Sequence, residues 1–216
     1  MIIDCIADLH GYYPALEGGD LLIVAGDLTK RDERVEYFKF WQWAAGQRYK
    51  KIVIVAGNHD NFLQKTGDPL TDPGIFSYLC DSGTEFQQFK IWGSPWTLSF
   101  EGLNPRYAAF TGTEAELEAK FSLIPHDIDI LVTHGPSIGT LDLTMESVHA
   151  GSVSLLKAEQ RVRPRLHAFG HIHEARGKFS ESCRLKSGEV RECASINCSI
   201  VDFYYRPVNK PVRIVL

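Results

Sequence analysis

The chain has 216 residues, of which 44% are hydrophobic and 23% charged, and its net charge is −4 at pH 7. This composition is that of a globular protein with a sizeable core, and it excludes a long disordered chain. The acidic balance argues against a general nucleic-acid binder, and no apolar run reaches the ~20 residues that a membrane helix requires.

The first half of the chain alternates apolar runs with one helical pattern. Short aliphatic runs that end beside glycine or a polar residue predict buried strands over residues 1–7, 20–27 and 50–60. Between the second and third runs, RDERVEYFKFWQWAAG predicts a helix that Gly46 can close. Its apolar side chains recur at helical spacing at Val35, Phe38, Trp41 and Ala45. Strand, helix and strand in this order predict a parallel crossover.

The second half of the chain predicts two more helices and further strands. A capping threonine, an acidic first turn and Pro125 indicate a helix within 111–125, and a second helix over 152–164 ends before Pro164. Strands are expected at 86–96, 127–135 and 165–173, with two or three more β-like stretches between 177 and 216, including ASINCSIVDFYY and PVRIVL. The pattern indicates one domain, residues 1–216, of α/β or α+β type.

The cysteines give no sign of a disulfide framework or a zinc finger. They are odd in number and form no C-x-x-C pair. They lie at Cys5, Cys80, Cys183, Cys193 and Cys198. The start of the chain, MIIDCIADLHG, lacks the basic and long apolar segments of a signal peptide. We therefore expect reduced thiols and a cytoplasmic protein.

Side chains of metal-ligand type follow five successive predicted strands. They occur in the blocks DLH (8–10), GD (26–27), GNHD (57–60), THG (133–135) and GHIH (170–173). Open α/β sheets build their sites at the carboxyl ends of their strands, so we expect these blocks to meet. A single aspartate at a strand end usually caps a turn, but that explanation would have to hold five times over.

The types of ligand atom in these blocks restrict which metal ions could bind. It combines carboxylate or amide oxygens with imidazoles and contains no thiolate, which suits Mn, Fe, Zn, Co or Ni and suits Ca poorly. The candidate ligands are Asp8, His10, Asp27, Asn58, His134, His171 and His173. Seven ligands are too many for one tetrahedral ion. They suit two ions that share a carboxylate, and Asp27 on a central strand is the natural bridge.

The ordered blocks resemble the calcineurin-like metallophosphoesterase superfamily. The segments IWGSPWT (91–97), LIPHDIDILVTHGP (123–136) and RVRPRLHAFGHIHE (161–174) are further similar to one subgroup, the small metallophosphoesterase-domain-containing proteins with cyclic-nucleotide phosphodiesterase activity. The resemblance implies a four-layer αββα sandwich, in which two mixed β-sheets are flanked by helices. It also implies a binuclear metal centre.

The resemblance implies a role for each block. One ion would be held by Asp8, His10, Asp27 and His173. The other would be held by Asp27, Asn58, His134 and His171. His59 would face the substrate as the general acid, oriented by Asp60. Some members of the subgroup have glycine in place of the first histidine of the last block. This chain keeps His171, so a complete site and an active enzyme are expected.

The expected activity is hydrolysis of phosphodiesters such as cyclic nucleotides, with two divalent transition metal ions and Mn favoured over Fe, Zn or Co. The expected partner is a small phosphoester or nucleotide, and neither a membrane nor nucleic acid is expected. A phosphomonoesterase, a protein phosphatase or a nuclease on the same site stays open, as does a nucleotide-binding scaffold with little turnover. Asn197 is a candidate neighbour of the site, whereas Arg106 and Arg176 are interpreted as surface arginines.

Overall fold

The computed structural model describes residues 1–67, 74–100, 102, 104–185 and 188–216. The strands in this part of the chain are β1 (Ile2–Ile6), β2 (Gly19–Ala25), β3 (Tyr49–Val55), β4 (Phe76–Tyr78), β5 (Ser82–Phe86), β6 (Phe89–Ser94), β7 (Thr97–Leu98), β8 (Thr111–Gly112), β9 (Ile130–Thr133), β10 (Leu166–Phe169), β11 (Gly177–Arg184), β12 (Val190–Asn197) and β13 (Val212–Val215). The α-helices are α1 (Arg34–Ala45), α2 (Asn61–Thr66), α3 (Glu114–Phe121) and α4 (Val153–Val162). Two 3-10 helices span Pro105–Tyr107 and His173–Ala175.

The strands form two large mixed sheets. The first has the order β13-β1-β2-β3-β4, in which only β13 runs antiparallel to its neighbour. The second has the order β11-β12-β10-β9-β6-β5, with a parallel centre and an antiparallel strand at each edge. Strands β7 and β8 form a separate parallel pair.

The two sheets bury a common core between them. Alternate residues of β1, β2 and β3 face alternate residues of β6, β9 and β10, since successive side chains of a strand point to opposite faces. This inner core includes Ile3, Ile23, Val53, Ile91, Val132 and Ala168. Both faces of the central strands are buried, which explains why the sequence shows near-continuous apolar runs there.

Helices cover the outer face of each sheet. Helix α1 packs its buried residues on the outer face of the first sheet, beside Leu22 and Ile54. Helices α3 and α4 do the same on the second sheet, beside Leu131. The layers are therefore helix, sheet, sheet and helix, and the predicted αββα sandwich of two mixed sheets is confirmed.

The buried face of α1 differs from the one that the predicted apolar spacing indicates. Val35 and Phe38 are 53% and 62% exposed, whereas Tyr37, Phe40 and Ala44 are buried. Both stripes have helical spacing, so periodicity alone cannot choose between them. The Tyr37 hydroxyl donates hydrogen bonds to carboxylate oxygens after β2 and β3, and these tertiary contacts are made by the stripe that is buried.

The ends of α3 and α4 follow the predicted signals. The Thr113 hydroxyl accepts a hydrogen bond from the Glu116 amide, and the Glu116 carboxylate accepts one from the Thr113 amide at 2.8 Å, which is a capping box. Ser152 caps α4 by accepting from the Leu155 amide. The short strands β4, β5, β7 and β8 were not predicted individually, because segments of two to five residues leave too few positions to show a period.

The described residues include five free cysteines. Cys5 and Cys198 are buried in the core between the sheets, where burial raises the pKa of both thiols well above the usual range. These two thiols therefore behave as small apolar side chains. No helix in the described segments combines the length and the apolar character needed to cross a membrane.

Candidate metal centre

Loops after five parallel strands meet at one end of the sandwich. The loops after β1 and β2 are joined by hydrogen bonds from the Asp8 amide to Gly26 O and from the His10 amide to Asp27 O. The second sheet joins them, since the His171 amide donates to the Asp8 carboxylate at 3.1 Å. All nine predicted site residues lie at this end, and seven of them are buried: Asp8, His10, Asp27, Asn58, Asp60, His134 and His173.

Four of these residues surround one point. The ligand atoms of Asp8, His10, Asp27 and His173 all lie within 4.8 Å of one another. His10 Nε2 is 3.4 Å from His173 Nε2 and 3.6 Å from Asp27 Oδ2, and His173 Nε2 is 3.7 Å from Asp8 Oδ1. Ligand bonds of ~2.0–2.2 Å place neighbouring donors around one ion roughly 3–3.5 Å apart, so the group has nearly the right size.

A second group of donors lies on the other side of Asp27. His134 Nε2 is 3.4 Å from Asp27 Oδ1 and 2.9 Å from Asn58 Oδ1, and the His171 ring centroid is 5.0 Å from that of His134. His134 Nδ1 is 3.0 Å from Ala25 O, which assigns the ring proton to Nδ1 and leaves the Nε2 lone pair facing the group. Asp27 thus presents one oxygen to each group.

Burial keeps two of the imidazoles neutral. It lowers the pKa of His10 to about 4 and that of His171 to about 3. For His173 burial acts in the same direction, but the Asp8 carboxylate outweighs it and raises the pKa. Neutral imidazoles have a free lone pair, so His10 and His171 can ligate a cation without first losing a proton.

The pKa values of the two aspartates among the candidate ligands are lowered, which favours their ionised form. Burial opposes the charge of Asp8, but His173 and His134 outweigh it and lower its pKa to about 2. The pKa of Asp27 is also lowered, because neighbouring histidines, His134 first among them, outweigh the effect of burial. Buried carboxylates beside imidazole lone pairs are the donors that divalent transition metal ions require, so these residues fit such ions.

Left-handed backbone marks four of the candidate ligands. The φ angles are 56° at Asp8, 42° at His10, 54° at Asp27 and 70° at His171. Side-chain-bearing residues adopt this region rarely and at a cost, and such strain concentrates at functional sites. The hydrogen bonds between the loops hold the four residues in this conformation.

Two glycines allow the ligand loops to come close. A Cβ atom at Gly57 would lie 2.2 Å from Asp27 Oδ1, and one at Gly170 would lie 2.4 Å from Asp8 Oδ2. No other residue fits at these distances without displacing a carboxylate. The glycines of the GNHD and GHIH blocks therefore shape the site directly.

His59 lies at the edge of the cluster. Its amide donates to Asp27 Oδ1 at 2.9 Å, and its Nε2 is 3.9 Å from Asp27 Oδ2. Its ring stacks on Tyr107 with the centroids 4.2 Å apart. The ring is only partly buried, so it can reach a molecule that enters from solvent.

The Asp60 side chain links the loops after β2 and β3 by hydrogen bonds. Its carboxylate accepts hydrogen bonds from the Gly57 amide at 2.8 Å, the Leu28 amide at 3.2 Å and the Tyr37 hydroxyl at 3.0 Å. Burial and the nearby Asp27 carboxylate raise the pKa of Asp60. Among the described residues these contacts go to backbone and to Tyr37, so Asp60 acts on the loop that carries His59 and not on its ring.

Comparison with known proteins assigns the chain to a family. The family model described as calcineurin-like phosphoesterase matches residues 1–175, which include all five ligand-bearing loops. The chain belongs to the calcineurin-like phosphoesterase family.

Relatives of this calcineurin-like phosphoesterase align with nearly the whole length of the chain. Human metallophosphoesterase domain-containing protein 1 is 33% identical over 243 aligned residues, covering 98% of this chain and 70% of the human protein. A UPF0046 protein of Caenorhabditis elegans is 29% identical, covering 96% of this chain and 78% of that protein. The crystal structure of TT1561 from Thermus thermophilus shares the fold, with a TM-score of 0.62 and 15% identity over 98% of this chain and 97% of that chain.

Tyr205 covers the histidines of this calcineurin-like phosphoesterase and was not predicted. Its ring centroid is 4.7 Å from that of His10 and 5.0 Å from that of His173. The sequence predicts a β-like stretch through DFYY, but β12 ends at Asn197 and Tyr205 lies in a turn with φ 61°. Asp202 closes the turn by accepting from the Tyr204 and Arg206 amides. An aspartate shortly before Arg-Pro was the available signal for this turn.

The structure also places the weaker candidates. The Asn197 side chain is buried and donates to Ile172 O at 2.7 Å, so it braces the loop between His171 and His173. The Arg176 guanidinium donates to Ser199 O at 3.1 Å and to another carbonyl, which is a structural role. Arg106 instead lines a cavity of about 310 Å³ beside His59.

Proposed function

We propose that this chain is a dinuclear metal-dependent phosphodiesterase that hydrolyses small phosphodiesters such as cyclic nucleotides. The observation that carries the proposal is the position of Asp27. Its Oδ2 is 3.6 Å from His10 Nε2, and its Oδ1 is 3.4 Å from His134 Nε2, so one carboxylate serves two groups of donors. That arrangement supports two ions that share a ligand.

The ligand sets remain those that the family resemblance implies. Asp8, His10, Asp27 and His173 would hold one divalent ion, and Asp27, Asn58, His134 and His171 the other. Manganese is favoured for activity, ahead of iron, zinc or cobalt. A bound pair of such ions activates water and neutralises phosphoryl oxygens. Asn58 supports this chemistry because a neutral ligand leaves more positive charge for the phosphate than another carboxylate would.

His59 is the proposed general acid. A water molecule loses one proton to solvent, its oxygen bonds to phosphorus, and the bond from phosphorus to the leaving oxygen breaks. The leaving oxygen takes a proton from the imidazole, which regains one from solvent. The stacked Tyr107 ring supports this role by limiting the orientations of the His59 ring. Proton donation of this kind typically accelerates a reaction ~10²–10⁴-fold.

The choice of a diester rests on the subgroup resemblance of residues 91–97, 123–136 and 161–174. The same ligands would serve a phosphomonoesterase or a nuclease, because selectivity comes from the surrounding loops. The net charge of −4 disfavours a nuclease. The complete ligand blocks disfavour a scaffold without turnover.

Two chromogenic esters test the proposal. Protein loaded with Mn²⁺ is expected to cleave bis(p-nitrophenyl) phosphate faster than p-nitrophenyl phosphate. Faster cleavage of the monoester would identify a phosphomonoesterase instead. Loaded protein that cleaves neither ester but binds a nucleotide would identify a scaffold.

The proposal also covers organisation and location. Residues 1–216 are proposed to form one domain, which the core shared by both sheets supports. The free thiols support a reducing, cytoplasmic location. The proposed partner is a small phosphoester or nucleotide.

A further inference from the structure

The cavity beside His59 is lined by three basic side chains that hydrolysis of a simple diester does not require. Its volume is about 310 Å³. It is lined by Lys30, Arg31, Asp32, Glu33, His59, Arg106 and Tyr107. In the described part of the chain, Lys30, Arg31 and Arg106 take part in no ion pair, although ion pairs occur elsewhere on the surface, such as that between Lys50 and Asp20.

The two acidic residues of the cavity form no ion pair with its basic side chains in the described part of the chain. The Asp32 carboxylate instead accepts from the Tyr37 hydroxyl at 2.6 Å and from the Phe62 amide at 2.9 Å. Glu33 is the N-cap residue of α1, and its amide donates to the Glu36 carboxylate at 3.4 Å. The three basic side chains therefore keep their charge available to a ligand.

The basic residues are attached to the segments that carry the reaction. Lys30 and Arg31 follow Asp27 in the loop after β2. Arg106 lies in the 3-10 helix Pro105–Tyr107, and two side-chain amides bind that helix to the loop after β3 and to the start of α2. Asn58 Nδ2 donates to Tyr107 O at 2.8 Å, and Asn61 Nδ2 donates to Arg106 O at 2.7 Å.

The position of His59 indicates which half of a substrate would enter the cavity. A general acid donates to the leaving oxygen, so the leaving group lies beside it. The cavity opens beside the His59 ring, and it therefore accepts the leaving half. A volume of about 310 Å³ is at the lower end for small-molecule sites, which suits a sugar and a phosphate better than a polymer.

We propose that this cavity binds a second anionic group, a phosphate carried by the leaving half of the phosphodiester. The inference rests on the proposed function and names its substrate class: small phosphodiesters whose leaving alcohol bears another phosphate. Guanidinium groups such as those of Arg31 and Arg106 bind phosphate through paired hydrogen bonds, and Lys30 adds a point charge.

A nucleoside 2′,3′-cyclic phosphate that also carries a 5′-phosphate has this chemistry. A water molecule loses one proton to solvent, its oxygen bonds to the cyclic phosphorus, and one bond from phosphorus to a ribose oxygen breaks. That ribose oxygen takes the proton from His59 and stays on the nucleoside. The 5′-phosphate is unchanged and serves only for binding.

Binding of two nucleotides that differ by one phosphate tests the proposal without turnover. The probes are adenosine 3′-phosphate and adenosine 3′,5′-bisphosphate, titrated calorimetrically into Mn²⁺-loaded protein. The bisphosphate is expected to bind about tenfold more tightly at low salt, and the ratio is expected to shrink as salt rises. In the double variant Arg31→Gln/Arg106→Gln the ratio is expected to fall below about twofold. Lys39→Gln, which removes an exposed cation on α1, is expected to keep the wild-type ratio.

The matching kinetic test compares kcat/KM for adenosine 2′,3′-cyclic phosphate with and without a 5′-phosphate. The kcat/KM of the phosphorylated compound is expected to be about tenfold higher. In the double variant Arg31→Gln/Arg106→Gln this ratio is expected to fall below about twofold. Equal affinities for the two titrated nucleotides in the wild-type protein would overturn the inference, as would a ratio that survives in the double variant.

The two proposals fail in different ways. If bis(p-nitrophenyl) phosphate is cleaved but the two affinities are equal, the second anion site is refuted and the proposed function stands. If the bisphosphate binds more tightly but no phosphoester is cleaved, the proposed function is refuted and the anion site stands.

Discussion

The rings of His59 and Tyr107 lie face to face, with centroids 4.2 Å apart and planes inclined by only 18°. Asn58, which precedes His59 in the chain, holds Tyr107 in position by donating from Nδ2 to Tyr107 O at 2.8 Å. A candidate ligand and a candidate acid are thus both connected to the same 3-10 helix. The orientation of the acid therefore depends on a residue outside the five sequence blocks.

Removal of the Tyr107 ring is expected to reduce turnover without removing metal. Tyr107→Ala should lower kcat on bis(p-nitrophenyl) phosphate about fivefold, because loss of an aromatic contact worth about 1 kcal/mol leaves the His59 ring free to change its orientation. Tyr107→Phe keeps the stacked ring and should stay within about twofold of wild type. Equal loss in both variants would show that the hydroxyl acts, and not the stacking.

Sequence patterns predicted the ligand loops because each ligand block directly follows a strongly apolar strand. The place where a parallel strand ends fixes the neighbours of the residues that come after it, as for Asp27 after β2 and His134 after β9. Tyr107 and Tyr205 could not be predicted in this way. Tyr107 lies in a 3-10 helix that tertiary hydrogen bonds from the Asn58 and Asn61 side chains hold in place. The bonds that close the turn at Tyr205 are local, and they do not encode the contact of its ring with His10.

The buried face of α1 could not be predicted from the sequence either, because it depends on tertiary packing. Spacing located the helix but could not choose between the stripe with Phe38 and the stripe with Phe40. The choice depends on contacts of α1 with residues after β2 and β3, which no local pattern encodes. The hydrogen-bond partners of Asp60 could not be predicted either, because they include Leu28, which is distant in sequence.

Tyr205 is expected to influence substrate affinity. Tyr205→Ala should raise KM for bis(p-nitrophenyl) phosphate about fivefold, since an aromatic contact of about 1 kcal/mol over the histidines is lost. Metal content should be unchanged. Tyr204→Ala is the matched control, because Tyr204 is 70% exposed and should leave KM at the wild-type value. Equal effects of the two substitutions would indicate general disturbance of the turn.

Gly170→Ala is expected to damage the centre through sterics alone. The added Cβ would lie 2.4 Å from Asp8 Oδ2 and 2.5 Å from Ala7 Cβ, so Asp8 must move. Mn²⁺ affinity, measured by titration, should fall at least about tenfold, and Tm should fall by several degrees. Gly46→Ala, whose Cβ would lie no closer than 3.4 Å to its neighbours, should change neither quantity. Unchanged metal affinity in Gly170→Ala would argue against Asp8 as a ligand.

His167 is expected to stabilise the fold behind His134. The Thr133 hydroxyl is 2.7 Å from His167 Nε2 and donates to Gly135 O at 2.7 Å, and Glu159 lies 2.5 Å from His167 Nδ1. His167→Ala should lower the free energy of unfolding by about 3 kcal/mol, because it leaves a cavity and unpaired polar groups. Urea denaturation measures this loss.

The control for His167 is His126→Ala, since His126 is exposed and should have no effect on the urea midpoint. A urea midpoint of His167→Ala equal to that of wild type would show that the hydrogen bonds of His167 do not stabilise the fold.

The number of metal ions bound per chain in three proteins tests most directly whether two ions share Asp27. Wild type and His59→Ala are each expected to hold two divalent ions by elemental analysis. His59→Ala should lose ~10²–10⁴-fold in turnover, because it removes a proton donor and leaves the ligands in place. Asp27→Ala should hold fewer than one ion and show no turnover. A wild-type protein that binds one ion or none, or an empty His59→Ala variant, would contradict the account.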